Sequence, residues 1–175
     1  MFKKIAILAV VGIAGFLAYA ATLPAAFSIS RSVSIAAAPE KVFPLINDFH
    51  GFNKWNPFLK DDPAIKLTYS GPDSGKGAKY DWDGNSNVGK GNVEITDSSP
   101  SSKILMNLNM IAPMEAHNRV EFTLAPKGSE TQVTWTMSGE NSFIGKVMSA
   151  CFNADKMVGG AFEQGLGDLK VMAEK

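Results

Sequence analysis

Seven stretches of the chain alternate apolar and polar residues with a period of two, covering residues 27–35, 65–70, 78–83, 88–96, 103–111, 116–124 and 131–139. Such alternation describes a strand with one buried face and excludes a helix over the same residues. The separators Gly71-Pro72-Asp73, Asp83-Gly84-Asn85, Ser98-Ser99-Pro100, Ala112-Pro113 and Lys127-Gly128 supply the fixed or positive φ that a reversal needs. Consecutive short turns predict an antiparallel sheet. Parity turns Tyr80, Trp82, Val93, Ile95, Met106, Leu108, Met110, Val120, Phe122, Leu124, Val133, Trp135 and Met137 inward. Lys79, Asp81, Glu94, Arg119, Glu121, Thr134 and Thr136 face outward.

Helical signals flank these strands. After the first strand, Pro39-Glu40 precedes Val42, Phe43, Leu45 and Ile46 at helical spacing, which predicts a helix of two to three turns with Pro39 as its first residue. Residues 48–57 mix aromatic anchors (Phe49, Phe52, Trp55) with breakers and predict a second short helix or turn in an apolar corner. Residues 142–174 predict one long helix, because Ile144, Val147, Met148, Cys151, Val158, Phe162, Leu166 and Leu169 recur every three or four positions. Gly159, Gly160, Gly165 and Gly167 each cost about 1 kcal/mol there against alanine, so a kink or close backbone packing is expected. With no second helix of similar length, that stripe must bury itself on the sheet.

The N-terminus is of another kind. Lys3 and Lys4 precede a run whose most apolar part, residues 5–22, is 18 residues long. A bilayer-spanning helix needs roughly 20 apolar residues and a secretory core only about 7–15, so the run is closer to an anchor. Ala18-Tyr19-Ala20 has the small-x-small form of a cleavage site, which keeps a removed signal peptide open, with a soluble periplasmic or secreted product. The two lysines place the N-terminus in the cytoplasm and the remainder across the membrane, in a bacterium in the periplasm. The expected organisation is therefore a membrane segment at 1–24 and one domain at 25–175. Seventeen basic and seventeen acidic side chains balance, which argues against a nucleic-acid binder. Cys151 is the single cysteine and has no partner within the chain.

The order of elements and several motifs resemble the SRPBCC (START-like, helix-grip) superfamily. The motifs are Ser32-Val33-Ser34-Ile35 with Ala38-Pro39-Glu40-Lys41-Val42-Phe43, Phe52-x-x-Trp55-Asn56-Pro57, Gly77-Ala78-x-Tyr80-x-Trp82-x-Gly84, Thr131-x-Val133-Thr134-Trp135, and Phe162-Glu163-x-Gly165-Leu166-x-x-Leu169-Lys170. More narrowly, the chain resembles membrane-anchored bacterial members described as polyketide cyclase/dehydrase-like. The resemblance implies an α+β helix-grip fold: a seven-stranded antiparallel sheet curved around a long C-terminal helix, with two short helices after the first strand. It also implies a deep apolar cavity between sheet and helix.

Titratable chemistry is sparse. His50 and His117 stand 67 positions apart with no ligand spacing around either, so no metal site or cofactor is expected. His117 lies on the outward parity, and His50 reads as structural or exposed. Cys151, on the apolar stripe, reads as a small core residue. Asp81 and Asp83 share the outward face, where an acid–base pair would lack the burial that separates two pKa values. Gly71-x-x-x-Gly75-Lys76 precedes a strand and is a hairpin rather than a phosphate loop. Asn118 is the one amide on the inner parity among apolar neighbours.

The expected cavity wall is Trp55, Tyr80, Trp82, Met106, Met110, Asn118, Phe122, Trp135, Met137, Val147, Met148, Cys151 and Phe162. The leading expectation is a tethered, non-catalytic monomer that binds a hydrophobic small molecule or lipid. A cyclase or dehydratase with Asn118 or Tyr80 polarising a carbonyl is the alternative, and a structural envelope module with a filled core is a third.

Overall fold

The computed structural model describes residues 2–60 and 62–175. Helix α1 (Phe2–Thr22) has a mean hydropathy of 2.2 over its most apolar window and is almost wholly exposed. It is long and apolar enough to cross a membrane, a property shared by anchors and signal sequences. Strand β1 (Ala26–Ile35) follows, and then three one-turn helices, α2 (Pro39–Val42), α3 (Pro44–Asn47) and α4 (Phe49–Phe52), and a 3-10 turn at Pro57–Leu59. The single helix expected from Pro39 is therefore split: Pro44 has no N–H to continue it and instead starts the next turn.

The remaining strands are β2 (Lys66–Ser70), β3 (Lys79–Asp83), β4 (Lys90–Ser99), β5 (Lys103–Ala112), β6 (Ala116–Lys127) and β7 (Glu130–Glu140). They form one antiparallel sheet in the order β1-β7-β6-β5-β4-β3-β2, as the alternation predicts. The short helices carry the chain from one edge of the sheet to the other. Pairing links Phe27, Gly139, Asn118, Leu108, Val93, Tyr80 and Tyr69 in a single row across the inner face.

The expected C-terminal helix is two helices. Helix α5 (Phe143–Cys151) ends where Phe152 turns extended, and α6 (Ala154–Ala173) starts afresh with the Asn153 side chain accepting from Lys156 N–H at 2.9 Å. An asparagine cap satisfies the new N-terminus and ends the old register. Only α6 lies on the sheet. Its glycines do not kink it: Gly159 lets the Arg31 guanidinium lie against the backbone. At Gly165 an added Cβ would stand 2.8 Å from Pro57 Cδ and 3.1 Å from Trp135 Cζ3.

Arg31 fixes the start of α6. It shares the inner parity of Ile29 and Val33, and bonds Asp155 Oδ2 at 2.9 Å and Glu163 Oε1 at 2.7 Å. Its hydrogen bonds hold the Asp155 carboxyl below the usual carboxylate range. At the far end of α6, Lys170 donates to the Ser34 carbonyl at 2.6 Å, and Ala36 N–H donates to Glu174.

The solid part of the core lies under α2 to α4 and the C-terminal half of α6. Trp55 is completely buried there, edge-on to Phe52, Phe122 and Trp135, and donates from Nε1 to the Leu45 carbonyl at 2.8 Å.

Candidate ligand-binding cavity

Packing is incomplete at one end of the sheet, where a cavity of about 300 Å³ opens between the sheet and the first turns of α6. Tyr80, Trp82, Met106, Met110, Asn118, Trp135, Met137 and Phe162 line it. Trp55 and Phe122 do not line it, because they sit one layer deeper, packed edge to face beside Trp135. Val147, Met148 and Cys151 do not line it either. All three ride on α5, which leaves the sheet, and Met148 and Cys151 are exposed. Cys151 is thus a surface residue, not the core residue its place on the stripe suggests.

Further lining comes from Val93, Leu108 and Val120 on the inner parity, Val158 on the helical stripe, Phe52, Asn56, Phe58 and Leu59 from the aromatic corner, and Asn87 and Val88 from the β3–β4 turn. The inward parity already marked the first three. Asn56 carried no such signal: it is buried because its Oδ1 caps the 3-10 turn, accepting from Phe58 N–H at 3.3 Å.

Among the described residues, no lining residue is an acid, a base or a histidine. The polar groups are neutral. Asn56 Nδ2 donates to the Tyr80 hydroxyl at 3.4 Å, and Trp82 Nε1 to the Val88 carbonyl at 3.4 Å. The Asn118 amide is half-buried at the wall and makes no side-chain hydrogen bond among the described residues. Trp135 stacks on Phe162 with centroids 4.0 Å apart, and its buried Nε1 has no partner among the described residues.

Burial pushes the Tyr80 phenol well above its usual range, with repulsion from Tyr69 adding to the effect and the Asn56 hydrogen bond opposing it. Tyr80 is therefore a neutral donor at any physiological pH. The unfolded chain ionises this phenol near pH 10 while the folded chain keeps it protonated, so its contribution is complete below that pH and is lost as pH rises beyond it. Between pH 10 and 11 the wild type is expected to lose up to about 1.4 kcal/mol per pH unit through this group. Tyr80→Phe should remove that part of the slope in urea midpoints measured across the range; an unchanged slope would show that Tyr80 ionises freely in the folded chain.

The other singled-out residues lie elsewhere. His117 is on the outer face, 2.8 Å from Asn109 Oδ1 through Nδ1, and His50 stacks on Tyr69 beside a separate hollow of about 110 Å³. Asp81 and Asp83 each pair with a lysine on the outer face, Lys79 and Lys90. Among the described residues no three His, Cys, Asp or Glu side chains converge as a metal site.

Residues 26–174 match the family model described as "Polyketide cyclase / dehydrase and lipid transport". The chain belongs to that family, within the SRPBCC superfamily. Solved structures with the same helix-grip fold include protein CV1439 from Chromobacterium violaceum, with 17% identity and a TM-score of 0.62 over 85% of this chain and 97% of that one. The Aha1 dimer from Colwellia psychrerythraea follows at 18% identity and TM-score 0.55, over 83% and 97%. The di-domain aromatase/cyclase BexL of the BE-7585A biosynthetic pathway has 14% identity and TM-score 0.64, over 89% of this chain and 52% of its own. At these identities the likeness is one of fold. No curated protein matches the chain. Membership in a cyclase/dehydrase and lipid-transport family supports a ligand-binding domain.

Proposed function

We propose that this is a membrane-tethered binding protein, held by α1 with its domain on the periplasmic side of a bacterial inner membrane. Its cavity holds an uncharged, largely apolar small molecule or lipid without transforming it. The observation that carries this reading is the lining: an apolar wall with a few neutral polar groups and, among the described residues, no acid, base or histidine. A buried charge on the ligand would find no counter-ion there, so an ionised group must stay at the mouth. The unpaired Asn118 amide favours a ligand with a carbonyl or hydroxyl, since a donor and acceptor at an apolar wall gain most from a partner that excludes water.

The test uses the full chain in its membrane and a neutral long-chain alcohol bearing a diazirine. After illumination, labelled peptides should map to β5, β6 and the first turns of α6, and organic extracts of the source membrane should compete. Labelling spread evenly over the surface, with no competition, would end the proposal.

The same Asn118 amide, with the neutral Tyr80 hydroxyl on the neighbouring wall, supports a second reading. In it, the two orient and polarise a carbonyl of a folded chain in a cyclase or dehydratase. That reading requires Asn118→Ala and Tyr80→Phe to reduce turnover of a matched substrate; unchanged turnover would remove it.

A further inference from the structure

Strand pairing decides which end of the domain meets the membrane. Ala26, just after α1, pairs with Glu140 at the end of β7, and Asn141 N–H donates to the Ala25 carbonyl at 2.8 Å. The chain therefore enters the sheet from α1 and leaves it toward α5 at the same end. Through Gly139–Asn118 and Met110–Ala116 the β5–β6 hairpin lies at that end too, and through Met110–Gly91 and Gly91–Trp82 so does the β3–β4 turn. Asn87 and Val88 in that turn, Leu108, Met110, Asn118 and Met137 on the strands of the hairpin and β7, and Val158 in α6 are partly or fully exposed lining residues toward this end, while Phe58 and Leu59 of the 3-10 turn are fully and partly exposed beside α6. Most of the exposed wall thus lies toward the α1 end.

That end is also where the exposed hydrophobic side chains gather. Outside α1 ten large apolar residues are exposed among the described residues, and seven of them are here: Ile111 and Met114 on the hairpin, then Phe143, Ile144, Met148, Phe152 and Met157 along α5 and the start of α6. The opposite end carries the turns Ser99–Ser102 and Lys127–Glu130 and, near the end of α6, the exposed Val171. A surface this apolar and this localised has an occupant. Continuity names it: α5 packs on the last turn of α1, burying Ala20, and Lys146 Nζ lies 3.5 Å from the Ala21 carbonyl. A bilayer crossed by α1 begins at that turn.

We infer that the hairpin tip and α5 dock into the surface of the bilayer that α1 spans, so that the cavity opens onto lipid and exchanges its ligand with the membrane rather than with water. The inference rests on α1 remaining as the anchor, as in the proposed function. It narrows the ligand class to molecules resident in the bilayer. Helix α5, apolar outward and joined to the domain at both ends, has the character of an interfacial helix.

Cys151, exposed on α5, is a built-in reporter. The full chain, labelled there with an environment-sensitive fluorophore, is reconstituted into vesicles of phosphatidylcholine with a minor share of phosphatidylglycerol. The vesicles are prepared with or without nitroxide groups on the acyl chains. Met114→Cys and Ser129→Cys, each with Cys151→Ser, report the hairpin and the opposite end. Docking to a depth of about 5–10 Å should cut emission at positions 151 and 114 about twofold, with little change at 129. Equal, weak quenching at all three in vesicles that float with the protein overturns the docking and leaves the anchor standing. Weak quenching with cross-linked dimers through Cys151 assigns the apolar end to a second copy and overturns it equally. A chain that fails to float removes the anchor first and the docking with it.

Discussion

Trp55→Ala is expected to lower folding stability by about 3–5 kcal/mol, the largest effect of any single truncation in the domain. Trp55 has no exposed surface and meets Phe52, Phe122 and Trp135 edge to face, with centroids 4.8, 6.0 and 5.7 Å away. Removing it opens a void beneath the layer that forms the cavity wall, and it leaves the Leu45 carbonyl without the indole donor now 2.8 Å away. A typical domain has only about 5–15 kcal/mol in total, so the variant should sit near its unfolding threshold. Urea midpoints measure the loss. A decrease under about 1 kcal/mol would mean that the neighbouring rings close over the gap.

Filling the cavity should have the opposite profile. Leu108 and Met137 lie on adjacent inner-face rows, and both line the cavity. Leu108→Trp combined with Met137→Trp places two indoles in space that is empty. Labelling by the neutral diazirine alcohol should fall at least about tenfold, equivalent to about 1.4 kcal/mol of binding. The melting temperature should hold or rise, because added atoms gain contacts that a void denies. Glu121→Trp on the outer face is the control and should leave labelling unchanged. If the double variant binds as the wild type does, the ligand site is elsewhere.

The sheet was legible because alternation and turn chemistry speak of neighbours along the chain. Each expected strand is present, shifted by a few residues at its ends, and the inward parity of Tyr80, Met106, Asn118 and Met137 places them on the wall. Parity does not give depth, however. Trp55 and Phe122 are expected on the wall with the rest, but Trp55 lies outside the sheet and Phe122 pairs directly with the wall residue Trp135 without lining the cavity itself, so parity leaves the distance to the cavity open. The helical stripe misled for a related reason. Periodicity identifies an apolar face and not what covers it, so it points Val147, Met148 and Cys151 toward the cavity although α5 holds them away from it. A local signal for the break was present in Asn153, followed by Asp155 in the first turn of α6. Arg31 is the converse case: a charge at an inward position of β1, resolved only by Asp155 and Glu163 from a helix more than 120 residues later.

The pairing of the first strand with the last also sets the order of assembly. Ser30 in β1 meets Thr136 in β7 across 106 positions of sequence. During synthesis α1 and β1 emerge ahead of everything β1 will pair with, and contacts of such separation form late and slowly. Until β7 arrives, β1 is an unpaired edge, where Arg31 and the serines of its outer face oppose unwanted strand pairing. The sheet closes only once β7, its last strand in chain order, has been made, so its ripening from nascent segment to sealed sheet is a late event.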